Sequence, residues 1–141
     1  SSADALKKLT LEVENIRRSI LERGEARVLK LVIAVAGKII RQEVATDRDI
    51  ILQVLREAVK NVLDRHRIKI RLNPRDHERL SKLTPGLLAG FEGIRSIMLD
   101  PVDSISPGGA VIETAFGEVD ATIEQQLEEI LKAFLQHGKK A

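Results

Sequence analysis

No proline occurs before Pro74, and the residues up to about position 44 carry apolar side chains at helical spacing. Proline is the residue that most reliably ends a helix, so this stretch predicts one long α-helix. Leu6, Leu9, Val13, Ile16 and Ile20 follow the alternating three-and-four spacing of a coiled-coil seam. With Leu6 at the first seam position, Glu12 and Arg17 flank the seam on opposite sides. In a parallel dimer they would form an interchain ion pair. The register then meets Arg23 and Arg27, with Gly24 between them. A second stripe starts at Val28 and runs through Leu31, Val32, Val35 and Ile39, widened by Ala34, Ala36 and Ile40. So broad a stripe reads as the face of a helix lying on a core. The expected division is a stalk over 1–26 that dimerises and a globular domain over 27–141, with the helix leaving the stalk near Gly24.

The remaining elements are shorter. Thr46 or Asp47 suits the N-cap of a second helix, with Ile50, Ile51, Val54, Leu55, Ala58, Val59, Val62 and Leu63 on its apolar face. "RIKIRL" (67–72) alternates, so Ile68, Ile70 and Leu72 point inward and Arg67, Lys69 and Arg71 outward. Asn73-Pro74 starts a short helix, with Asp76 favoured near its positive end. Residues 84–93 read as a loop and 94–100 as a second strand. Ala110 to Thr114 and Glu118 to Asp120 read as two further strands joined across Phe116-Gly117. A last helix starts near Thr122 in a Thr-x-x-Gln capping box, buries Ile123, Leu127, Ile130, Leu131 and Phe134, and stops at Gly138. The fold class is α+β, with a small, about four-stranded sheet, mostly antiparallel or mixed, covered by helices.

The parts needed for catalysis are missing. Gly108-Gly109 leads into a strand, and no Gly-Lys-Ser/Thr follows, so Pro107-Gly108-Gly109 reads as a turn and not a phosphate loop. His66, His77 and His137 lack metal-ligand spacing, and Asp100 and Asp103 read as solvated turn residues. Glu113 and Asp120 come near each other across the hairpin, but Asp120 suits a cap and Glu113 a basic neighbour. There is no cysteine nucleophile and no serine in a nucleophile elbow. The expectation is a protein that is not an enzyme and holds no cofactor or metal.

Aromatic residues make up 2% of the chain, so neither a typical ligand pocket nor a base-stacking platform is indicated. The basic residues Arg65, Arg67, Lys69, Arg71, Arg75, Arg79 and Lys82 gather around the first strand and the helix after it. Arg67, Lys69, Arg71 and Arg75 are candidates to face an acidic partner. A nucleic-acid reading is weakened by the interleaved Asp64, Asp76 and Glu78 and by a net charge of only +2. The longest apolar run, Leu31 to Ala36, is too short to span a bilayer. The chain opens without methionine or a signal peptide, which suggests a piece of a longer protein.

Taken together, Ser106-Pro107-Gly108-Gly109, Ile112-Glu113-Thr114, Phe116-Gly117, Val119-Asp120-Ala121 and Gln126-Leu127 resemble the C-terminal signature of the flagellar assembly protein FliH family. That family includes the stator proteins of type III secretion injectisomes. "IKIRLNPRDHERL" (68–80) and the helix from about Val28 to Glu43 are similar to its other elements, so the likeness covers roughly 27–135. The resemblance implies a cytoplasmic, non-catalytic homodimer at the periphery of the membrane export apparatus. Its C-terminal domains would grip the export ATPase, restrain hydrolysis and help dock the ATPase at the export gate. Contacts to rotor and gate would use an N-terminal segment outside this chain. The E subunit of the peripheral stalk in rotary V-type ATPases is a second, similar architecture, and a small nucleic-acid-binding protein is the alternative of another class.

Overall fold

The computed structural model describes residues 1–62, 66–83 and 93–140. Leu63, Asp64 and Arg65 therefore lie outside the described residues, as does the expected loop apart from Gly93. Helix α1 (Ser2–Thr46) is followed by α2 (Ile50–Lys60), β1 (Arg67–Leu72), α3 (Pro74–Ser81), β2 (Ser96–Pro101), β3 (Ala110–Thr114), β4 (Gly117–Ala121) and α4 (Ile123–Lys140). The strands form one mixed sheet in the order β2-β1-β3-β4. β1 runs parallel to β2 and antiparallel to β3, and β3 and β4 form a hairpin. A parallel pair needs a crossover between its strands, and α3 lies in that crossover.

The alternation in β1 is realised. Ile68, Ile70 and Leu72 are buried, and their cluster includes Ile51, Leu55 and Val59 of α2, Leu80 of α3 and Ile112 of β3. Helix α2 packs across β3 and β4, while α3 packs beside β2, so one face of the sheet is covered. On β1, Lys69 and Arg71 point to the other face and pair with Asp100 of β2 (3.6 Å) and Glu113 of β3 (3.0 Å). The caps are partly as expected. Asn73 accepts the Arg75 N–H (2.9 Å), as an N-cap should. The second helix is capped differently: Asp49 is its N-cap, and the Asp47 carboxylate accepts the Asp49 N–H instead.

Helix α4 runs antiparallel along the second half of α1. Its Ile123 packs beside Val44, Leu127 approaches Gly37, and Gly138 lies near Glu25. Three expectations change here. First, α4 continues through Gly138 to Lys140, since a single glycine costs a helix only about 1 kcal/mol. Second, its inward face is Ile123, Leu127, Leu131 and Leu135, with Ile130 and Phe134 exposed. Third, the face of α1 that meets α4 is Ala26, Leu29, Ile33, Ala36, Gly37 and Val44, not the stripe from Val28 to Ile39. Small residues decide this. A side chain at Gly37 would come within 3.1 Å of Leu127 Cδ1, so the close approach of α4 selects the small-residue face.

Residues 1–25 are all exposed, so about 35 Å of α1 extends without tertiary cover among the described residues. Gly24 does not interrupt the helix.

Candidate functional site

The base of α1 is where the sequence motifs converge. The side chain of Arg75, on α3, donates to the carbonyls of Val44 (3.0 Å) and Ala45 (2.9 Å). Helix α1 has no basic residue in its own last turn, so Arg75 supplies the positive charge that a helix C-terminus favours. Arg79 adds an ion pair to Asp49 (2.9 Å) at the start of α2.

The Pro107-Gly108-Gly109 turn closes the same joint from the other side. Gly108 has φ of 87°, and a Cβ there would lie 2.7 Å from Val44 Cγ2. Only glycine meets both the backbone angle and the contact. At Gly109 a Cβ would lie 2.8 Å from the Thr122 backbone, where α4 begins. The Gly108 N–H donates to the Asp76 carboxylate at 2.8 Å. Asp76 is 3% exposed, and its burial raises its pKa above the usual aspartate value, against the opposing pull of that N–H and of Arg75 and Arg48. The Asn73-Pro74-Arg75-Asp76 and Pro107-Gly108-Gly109 motifs, 30 residues or so apart, thus form one clamp on the end of α1.

The hairpin places its residues as structural parts. Glu113 stands opposite Glu118, and Val111 opposite Asp120, so Glu113 and Asp120 are not cross-strand partners. Glu113 is paired with Arg71, and the Asp120 carboxylate accepts from the Thr122 N–H (2.9 Å) and hydroxyl (2.7 Å). The expected capping box is half formed. Thr122 accepts the Gln125 N–H (3.2 Å), but the Gln125 amide reaches Glu129 instead of turning back. Gly117, with φ of 142°, completes the turn, and Phe116 beside it is 77% exposed.

The basic candidates do not form one patch. Arg75 is committed to the end of α1, while Lys69 and Arg71 sit in ion pairs on the open face of the sheet. Arg67 is exposed there too, and Met98 of β2, 62% exposed, lies in the same shallow hollow.

The largest candidate surface is on α1. Leu6, Leu9, Val13, Ile16 and Ile20 are all exposed. So are Val28, Leu31, Val32, Val35 and Ile39, at 52–65%. Ile20, Gly24 and Val28 are four residues apart, so the two stripes are continuous and shift across a four-residue step. At about 100° per residue the stripe lies roughly 140° around the helix from the face that meets α4. It extends about 50 Å from Leu6 to Ile39. The arginines at 23 and 27 concealed this continuity, because the heptad register ends there. In the single chain Arg17 bonds Glu14 (3.0 Å), and this interaction holds the Glu14 carboxyl below its usual pKa. Glu12 has no such bond to Arg17 within the chain.

Among the described residues, no cluster of three or more His, Asp or Glu side chains has the geometry to hold a metal ion. No described helix is long and apolar enough to cross a membrane.

The family model described as flagellar assembly protein FliH matches residues 1–130. The chain is 33% identical over 118 residues to a flagellar assembly protein FliH of Borreliella burgdorferi, covering 84% of this chain and 39% of that protein. It is 28% identical over 85 residues to a type 3 secretion system stator protein of Yersinia enterocolitica, covering 60% of this chain and 38% of that protein. The chain therefore spans about two-fifths of the length of these curated relatives. The signature read in the sequence is the clamp at the base of α1 and the hairpin beside it, and the chain belongs to the FliH family of flagellar assembly proteins.

Proposed function

We propose that this chain is the ATPase-binding end of a homodimeric stator of a flagellar or type III export apparatus. The observation that carries the reading is the uninterrupted apolar stripe of α1, which faces away from the chain's own domain. A second copy is the occupant that fits it. On a helical wheel, Arg27 and Lys38 flank the stripe on one side and Glu25 and Glu43 on the other. A parallel two-fold partner sets each basic flank against the other copy's acidic flank, and Glu12 against Arg17, which then exchanges Glu14 for its interchain partner. The seam therefore continues beyond residue 26, through the part of α1 that also holds α4. Residues 1–26 act as stalk, and 27–141 as the domain that grips the export ATPase.

The mechanical logic follows from the joint. A helix whose backbone bonds are satisfied along its length transmits torque only if its end is fixed. Arg75, Asp76, Gly108 and Val44 fix it by a guanidinium on the last carbonyls, a buried carboxylate and a glycine contact. The dimer restrains the ATPase without taking part in hydrolysis, and works in the cytoplasm beside the membrane export gate. The relatives' printed names, a flagellar assembly protein and a secretion stator, support this role. The test is light scattering on a sizing column with the export ATPase of the same organism, together with its hydrolysis rate. Co-elution of two copies per ATPase with slowed turnover supports the reading. Separate elution with unchanged turnover sinks it.

A further inference from the structure

Among the described residues the sheet leaves β4 unpaired along one side, since the strand order ends there. An unpaired edge offers a row of backbone donors and acceptors to an incoming strand. Beside this edge runs a groove of about 390 Å³ between β4, α2 and the start of α4, floored by Val54, Ala58 and Val119. It continues past Asn61 and Val119 into a smaller hollow of about 100 Å³ that ends at Phe116 and Gly117. Phe116, a large apolar side chain, is left 77% exposed there.

The charge of the groove has one sign. Glu57, Asp120 and Glu129 line the larger part and Glu118 the smaller, and no Lys or Arg lines either among the described residues. Lys60 pairs with Glu57 at 2.9 Å from outside the groove. The opposite side of the domain contrasts with this. The hollow on the open sheet face is lined by Arg67, Lys69 and Arg95, but Lys69 already has an acidic partner, as does the neighbouring Arg71.

We propose that the β4 edge is the docking site for an extended, basic segment of the partner protein. The segment pairs with β4 as a fifth strand, sets small apolar side chains on Val54, Ala58 and Val119, and places its Lys or Arg residues against Glu118 and Glu129. Phe116 anchors one end, as exposed aromatics do in binding hot spots. The proposal rests on the reading that the partner is the export ATPase, and names the edge that the ATPase uses.

The experiment mixes the full chain with the export ATPase of the same organism. It reads affinity by calorimetry and protection of the 117–121 amides by hydrogen exchange. The variants are Glu118→Lys combined with Glu129→Lys, and Phe116→Ala, with Met98→Ala on the other face as control. The expected result is at least tenfold weaker binding for the first two and no change for the control. Wild-type binding should weaken as salt rises, and the β4 amides should become protected on mixing. If the wild-type chain binds the ATPase but the variants bind within twofold of it and the β4 amides stay unprotected, the edge assignment is overturned while the ATPase reading stands. If the wild-type chain does not bind the ATPase at all, the functional reading fails and this assignment fails with it. The exchange measurement on the wild-type chain does not depend on any variant folding.

Discussion

Gly108→Ala tests the joint at the base of α1 with a single methyl group. The backbone at Gly108 has φ of 87°, which costs an L-residue about 1–2 kcal/mol. The added Cβ would lie 2.7 Å from Val44 Cγ2 and 3.0 Å from Cγ1, and crowding of that kind in a packed site costs about 1–3 kcal/mol. The two together give about 2–5 kcal/mol, or a fall in Tm on the order of 10 °C for a chain of this size. Urea unfolding followed by circular dichroism measures it, at fixed protein concentration because association would shift the midpoint. Repeating the change in a Val44→Ala background removes the two closest contacts and leaves the backbone term with Ile123 Cδ1 at 3.3 Å, so the cost should drop toward about 1–2 kcal/mol. A Gly108→Ala variant within about 0.5 kcal/mol of the parent would show that neither the backbone angle nor the Val44 contact holds the joint. An undiminished cost in the Val44→Ala background would rule out the Val44 contact alone.

Arg75→Ala should lose about 1–3 kcal/mol, since two charged hydrogen bonds to the end of α1 go with it, and Arg75→Lys should recover only part, because one ammonium replaces a fork; urea midpoints decide it. Asp76 has a folded pKa raised above its unfolded value, so the native state binds more protons in the window between the two. The cost of its buried charge is present above the folded pKa and is relieved as pH falls through it. Wild type should therefore gain stability relative to Asp76→Asn as pH drops from neutral toward the usual aspartate range, and a relative loss would show that the Gly108 bond outweighs burial. On β1, Ile70→Ala should cost about 2–5 kcal/mol, whereas Lys69→Ala one position earlier should cost no more than about 1 kcal/mol. Equal effects at the two positions would contradict the one-sided sheet.

The elements were legible in the sequence where local chemistry decides them. The alternation of Ile68, Ile70 and Leu72, the Asn73 cap and the proline-free length of α1 each require little tertiary information. What sequence reading missed depended on which neighbour arrives. The stripe from Val28 to Ile39 is apolar and looks like a core face, yet α4 chooses the side bearing Ala26, Ala36 and Gly37, because small residues let two helices approach. Those small residues were the available signal. Likewise, Ile130 and Phe134 fit an apolar face of α4 by spacing but lie off the line that meets α1. Arg75 looked like one member of a basic cluster because sequence proximity to Arg67, Lys69 and Arg71 says nothing of the helix end that comes to meet it. The clamp motifs were recognisable as a signature, but their purpose appears only once Val44 is found against Gly108.

On the proposed function, the outward stripe of α1 is the seam between two copies. Light scattering on a sizing column, with the chain alone at tens of micromolar, measures it most directly. Pairing through the stripe gives a mass twice the 15.7 kDa of one chain. Leu31→Lys combined with Val35→Lys should give a single-chain mass with an unchanged circular dichroism spectrum, since both side chains are exposed in the single chain. A wild-type chain that elutes as one copy, or a doubly substituted chain that stays paired, would contradict this pairing.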